Sequence, residues 1–164
     1  MPEFTRPATW EDVKRIARYF DEAGVEYALI GGYALAAHGL VRQTEDIDVL
    51  VNPSAANALR WIVALSRLPD GAARELESEP DVFAAQRSYA VRINDEITVD
   101  VLPSAAGVGW DELCRYVEEV DLDGDRIRVL SLEGLLRTKA GVRPKDQADA
   151  RVIREALRIL GRSP

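Results

Sequence analysis

Asp46 and Asp48 stand two residues apart in the run Asp46-Ile47-Asp48-Val49-Leu50-Val51. Read as a β-strand, this run sends Ile47, Val49 and Val51 to one face and Asp46, Asp48 and Leu50 to the other. At about 3.3 Å rise per residue, the two aspartates leave the same face with α-carbons ~6.5 Å apart. Aspartate is disfavoured inside strands, and two carboxylates ~5 Å apart repel by roughly 3 kcal/mol at an effective dielectric of about 20. A divalent cation relieves that repulsion: magnesium takes carboxylate oxygens, keeps several waters and bridges protein to substrate phosphates. Asp100, in Ile97-Thr98-Val99-Asp100-Val101, offers a third oxygen ligand from the polar side of a second alternating strand. Three carboxylates around one or two ions make a site for phosphoryl or nucleotidyl transfer. The plainer alternative is that Asp46 and Asp48 line the wet face of an edge strand, where polar alternation is ordinary. Gly31-Gly32 favours the chemical reading. The pair lies between a strand and a helix, where bare backbone amides can approach a phosphate and the helix start favours negative charge, although a tight turn also explains it.

Composition narrows the chemistry further. The chain has 164 residues, 47% hydrophobic and 30% charged, with a formal net charge of -7. That is enough for one compact domain over residues 1–164 with a real core. One cysteine, Cys114, permits no internal disulfide or multi-thiolate site, and one histidine, His38, excludes His-rich zinc sites, so any metal is held by oxygen. The acidity argues against a general grip on nucleic-acid phosphates. No apolar run approaches the ~20 residues of a membrane span and the start is not a signal peptide, which gives a cytoplasmic expectation. Basic residues gather late: Arg137 to Pro164 holds eight against three acidic ones, enough to neutralise a small polyanion or to complement acidic surface elsewhere.

The elements that must position these residues follow from periodicity. Thr9 and Asp12 form a capping box for a helix with Val13, Ile16, Ala17 and Phe20 on one face, ended by Gly24. Glu26–Ile30 reads as a strand, Tyr33–His38 as a helix, Asp46–Val51 as a strand, and Pro53 opens a helix to about Leu65. Residues 67–81 are too polar for a core element and read as a mobile acidic loop holding at most a helical turn. Tyr89–Ile93 and Glu96–Leu102 form a hairpin, Trp110–Val117 a short helix, and Val120–Val129 a second hairpin over Asp123-Gly124-Asp125. Ser131 caps a helix from Leu132 to Ala140, and Pro144 starts a last helix with Ala148, Val152, Ile153, Ala156, Leu157 and Leu160 as its apolar stripe. The whole is an α/β (α+β) fold, a mixed sheet with flanking helices.

Ile30-Gly31-Gly32-Tyr33-Ala34, His38-Gly39, Arg42, Thr44 and Asp46-Ile47-Asp48-Val49 together resemble the signature of the nucleotidyltransferase superfamily with the DNA polymerase beta-like catalytic fold. The closest flavour is the small stand-alone bacterial group that includes AbiEii-type toxins. The resemblance covers about residues 24–102, and the closing helices at about 131–160, with Lys139, Arg143, Lys145, Asp146 and Asp149, look like the ending of its small members. It implies transfer of a nucleoside monophosphate from a nucleoside triphosphate to an acceptor hydroxyl, releasing pyrophosphate. On that analogy Asp46 and Asp48 ligate Mg2+ or Mn2+ carrying the triphosphate, and Asp100 binds the metal nearest the acceptor. Gly31 and Gly32 cradle phosphates, while Lys139 and Arg143 add positive charge. Much of the superfamily has serine after the first glycine, whereas Gly32 offers only backbone. Only about 60 residues follow Asp100, too few for a second core that would choose the acceptor, which stays open among protein, RNA and small molecule. Two alternatives accompany this reading. One is a silent nucleotide- or protein-binding module of a toxin-antitoxin system. The other is an antibiotic-modifying transferase whose acidic loop attracts a cationic aminoglycoside.

The remaining candidates have plainer readings. Arg42 and Thr44 either orient a carboxylate or phosphate or lie on the surface. His38 caps or packs, Cys114 is a small core residue, and Arg151, Arg154 and Arg158 form a solvated helix face. Asp121, Asp123 and Asp125 suggest calcium only superficially, because Gly124 and Leu132 stand where an EF-hand needs other residues, so they form a turn.

Overall fold

The computed structural model describes residues 5–40, 43–83 and 89–163. Helix α1 (Trp10–Ala23) starts at the predicted capping box. The Thr9 amide donates to Asp12 Oδ2 at 2.8 Å and the Asp12 amide donates to Thr9 Oγ1 at 3.4 Å. It ends at Gly24, whose φ of 70° supplies the left-handed turn. Strand β1 (Tyr27–Ile30) leads directly into α2 (Gly31–Ala37), so both glycines lie inside the helix's first turn rather than before it.

Strand β2 (Ile47–Val51) and helix α3 (Ala55–Leu65) follow, then a hairpin of β3 (Val91–Asn94) and β4 (Thr98–Leu102). A small hairpin that the sequence pattern did not reveal, β5 (Ser104–Ala105) and β6 (Val108–Gly109), leads to α4 (Trp110–Leu113) and a single 3-10 turn. Val117, expected in that helix, instead begins β7 (Val117–Leu122), which pairs with β8 (Asp125–Leu130). The chain ends in α5 (Leu132–Arg137) and α6 (Pro144–Ile159).

Six strands form one mixed sheet in the order β3-β4-β2-β1-β8-β7. β2 runs antiparallel to β1 and parallel to β4, while β1 and β8 are parallel. Beyond Asp48, strand β2 is covered on both faces, since Val49, Leu50 and Val51 are all buried. Helix α1 packs on α3 and β8, and α5 packs on α6 and α2.

Three further expectations change. The acidic stretch is anchored rather than loose: Leu68 and Ala73 are buried, and buried Asp95 accepts hydrogen bonds from the amides of Asp70, Ala72 and Glu96. Cys114 is exposed because it sits in the 3-10 turn, outside the core. The buried face of α6 is Asp146, Asp149, Ala150, Ile153 and Leu157, whereas Val152 and Leu160 of the expected stripe face solvent. Among the described residues no helix is long and apolar enough to cross a membrane.

Candidate active site

The pairing register places four residues in one row across the sheet: Ile30 opposite Asp48, Asp48 opposite Asp100, and Asp100 opposite Arg92. In-register neighbours on adjacent strands send their side chains to the same face. All four line a cavity of about 690 Å³, together with Gly31, Gly32, Thr44, Asp46, Lys139 and Arg143. The three aspartates singled out from the sequence are therefore brought to one wall, as are both glycines. Thr44 also donates from its hydroxyl to the carbonyl of Asp46 at 3.0 Å, bracing the entry to β2. Arg42 lies outside the described residues.

Gly31 is required by close approach. Its φ is +71°, and a β-carbon there would sit 2.3 Å from Asp48 Oδ2, so the backbone at the start of α2 lies directly against the carboxylate. Burial, then the charges of Asp100 and Asp46, push the Asp48 carboxyl up to about 7, with Lys139 pulling the other way. The repulsion expected from the spacing is thus present at Asp48.

Arg92 is the site residue that periodicity missed. Its Nε donates to Asp100 Oδ1 at 2.9 Å, and its Nη2 donates to Asp100 Oδ2 at 3.0 Å and to Asp46 Oδ2 at 3.3 Å. The Asp100 carboxylate raises the arginine's pKa in return, through hydrogen bonding and charge. Counting outward from an Asn94-Asp95 turn pairs Arg92 with Ile97; the loop is instead residues 95–97, and that shift in register sets Arg92 opposite Asp100.

The basic residues are held by the buried face of α6. Lys139 Nζ lies 3.1 Å from Asp149 Oδ2 and 3.9 Å from Asp146 Oδ1, with only 12% of the lysine side chain exposed. Arg143, mostly exposed, forks onto Asp146 through Nε at 2.8 Å and Nη2 at 3.2 Å. The carboxylates of α6 thus fix cations that a helical-wheel reading leaves pointing into water. His38 packs as expected, its Nε2 2.8 Å from the Leu130 carbonyl oxygen. Asp121, Asp123 and Asp125 lie at the β7–β8 turn, where Asp121 Oδ1 accepts from the Gly124 amide, while from α1 Lys14 reaches Asp123 and Arg18 reaches Asp125. Arg151, Arg154 and Arg158 are exposed.

Among the described residues no three acidic, histidine or cysteine side chains stand in a ready-made metal-ligating group. The donor set nevertheless fits a hard divalent ion: oxygen ligands, a wall of three carboxylates, and a guanidinium drawn between two of them.

With this geometry in place, comparison with known proteins gives a consistent answer. Residues 12–153 match the family model of aminoglycoside-2''-adenylyltransferase. No curated protein matches the sequence. Among solved structures, the lincosamide antibiotic adenylyltransferase LnuA, bound to lincomycin, is 15% identical with a TM-score of 0.58, over 90% of this chain and 98% of that one. A Thermotoga maritima protein assigned as a nucleotidyltransferase is 16% identical with a TM-score of 0.57, over 91% and 92%. The antibiotic-resistance factor ANT(2'')-Ia is 17% identical with a TM-score of 0.51, over 92% and 86%. The mixed sheet with flanking helices is thus the nucleotidyltransferase fold. The matched family model is not that of the AbiEii-type toxins.

Proposed function

Because the chain belongs to the aminoglycoside-2''-adenylyltransferase family, and so is a nucleotidyltransferase, we propose that it transfers the adenylyl group of ATP to a hydroxyl of a small acceptor at the Asp46–Asp48–Asp100 wall. The observation that carries this reading is the in-register pairing of Asp48 with Asp100 on parallel strands, beside the side-chain-free backbone of Gly31 and Gly32. Asp46, Asp48 and Asp100 would hold a divalent ion, Mg2+ in the reading preferred here, and the ion's chemistry is to screen the triphosphate and the charge that develops as pyrophosphate leaves.

The remaining functions belong to the chain itself. Gly31 and Gly32 admit the phosphates to the backbone, and Lys139, fixed by Asp149, supplies a positioned positive charge. Arg143 does the same at the rim. Asp100, which accepts hydrogen bonds on both oxygens in the resting protein, would orient the acceptor hydroxyl and receive its proton. Phosphoryl-group transfer depends chiefly on such positioning and charge stabilisation, and among the described residues the site's lining has neither histidine nor cysteine. An aminoglycoside-like acceptor, cationic and rich in hydroxyls, is favoured by the family match and by Glu45 and Asp46 on the cavity wall.

The test is pyrophosphate release from ATP and Mg2+ across a panel of hydroxylated acceptors, with mass spectrometry of the product. The expected product is heavier by one adenylyl group, and Asp46→Asn abolishes its formation while the fold persists. A protein that is stabilised thermally by ATP and Mg2+ but turns over no acceptor would favour a silent binding module instead.

A further inference from the structure

Among the described residues, the side-chain hydrogen bonds of Arg92 go to the carboxylates of the catalytic wall, two to Asp100 and one to Asp46. Its strand β3 ends the sheet, and 58% of its side chain is exposed, so among the described residues these carboxylates are what hold the guanidinium. Both Asp100 oxygens are engaged, and only 13% of that side chain is exposed, so a divalent ion entering from water meets a carboxylate already paired with a cation. From this geometry we infer that Arg92 is a resident counter-cation that competes with free divalent metal for Asp100 and Asp46.

The inference rests on the nucleotidyl-transfer reading of the site and goes beyond it. In the resting protein Arg92 pairs with two of three crowded carboxylates and offsets one unit of their negative charge. A bare ion must displace a forked guanidinium and tolerate its positive charge nearby. An ion arriving with a triphosphate brings negative charge along, and the half-exposed arginine can turn away into water or toward phosphate. Arg92 thereby biases the site toward the metal–nucleotide complex over the metal alone, a selectivity that the three aspartates by themselves would lack.

The experiment is Mn2+ binding to the nucleotide-free full chain by calorimetry, paired with thermal melts in chelator and in Mn2+. Arg92→Met is expected to bind Mn2+ roughly tenfold more tightly than the wild type, because a cation adjoining the site has been removed. It should also melt lower in chelator and recover in Mn2+. Arg92→Lys keeps the charge and should stay within about threefold of the wild-type affinity, the residual difference reflecting the lost fork. A role confined to bracing the sheet edge would lower the melt without tightening Mn2+, so equal or weaker Mn2+ binding by Arg92→Met overturns the inference. Stabilisation of the wild type by ATP with Mg2+ is measured alongside. Its absence would overturn the nucleotide reading itself, whereas its presence together with unchanged Mn2+ affinity removes only the role of Arg92.

Discussion

Asp48 concentrates the conflict between folding and function in one side chain. Its carboxyl is pushed up to about 7 by burial and by the charges of Asp100 and Asp46. A carboxyl whose folded pKa lies above its unfolded value costs stability once ionised: the penalty is absent below about pH 4, grows up to about pH 7 and is constant above that. Asp48→Asn is therefore expected to lose pyrophosphate release yet to gain stability of order 3 kcal/mol at pH 8 in chelator, read by denaturant unfolding beside the wild type. A less stable variant would mean that the carboxylate is not strained. Gly31→Ala attacks the same contact from the other side. Its β-carbon would meet Asp48 Oδ2 at 2.3 Å from a backbone φ of +71°, so a loss of about 1–3 kcal/mol is expected along with activity. Chemical denaturation of the purified variant measures it.

At the scale of elements, buried Asp95 ties the acidic stretch to the β3–β4 hairpin through the amides of Asp70 and Ala72, and accepts a third hydrogen bond from Glu96 of its own turn. Asp95→Ala leaves those donors without their acceptor and should cost of order 3 kcal/mol, with early loss of amide-exchange protection at Asp70 and Ala72. Composition alone could not reveal this, because a segment rich in Glu75, Glu77 and Glu79 gives no hint that one distant aspartate accepts its backbone hydrogens. The strands bearing Asp48 and Asp100 were legible for the opposite reason: period-two alternation is local, and two carboxylates on one face have few structural explanations. Their register was not legible, since only the assembled sheet sets Arg92 beside Asp100. Helix α6 shows the same limit. Its apolar residues suggested a stripe through Val152 and Leu160, but Lys139 and the cavity draw Asp146 and Asp149 inward and rotate the buried face away from that stripe. A helical wheel ranks carboxylates as solvent-facing unless the partner cation is already known.

For the whole molecule, the acid and alkaline limits of stability originate at different ends of the fold. Burial alone would raise the Asp12 pKa, but hydrogen bonds from Arg6 and from the Thr9 amide and hydroxyl hold it below the usual carboxylate range. Glu133 is likewise held low, against burial, by hydrogen bonds that include Arg162. Carboxyls depressed in this way contribute stability that is fully present above their unfolded pKa and is lost as pH falls through the folded one. Asp48 acts with the opposite sign, its penalty building between about pH 4 and pH 7. The two trends leave a maximum in weakly acidic solution, and melting temperatures in chelator should peak near about pH 5 and decline toward pH 8. On the proposed function Mg2+ with ATP would bind the ionised site and stabilise the folded state by mass action, so it should raise the alkaline limb selectively and move the maximum above pH 7. In Asp48→Asn the decline from pH 5 to 8 should flatten in chelator, and the response to Mg2+ and ATP should be lost. A wild-type profile that rises steadily from pH 5 to 8 without metal would place the limiting charge conflict somewhere other than the wall formed by Asp46, Asp48 and Asp100.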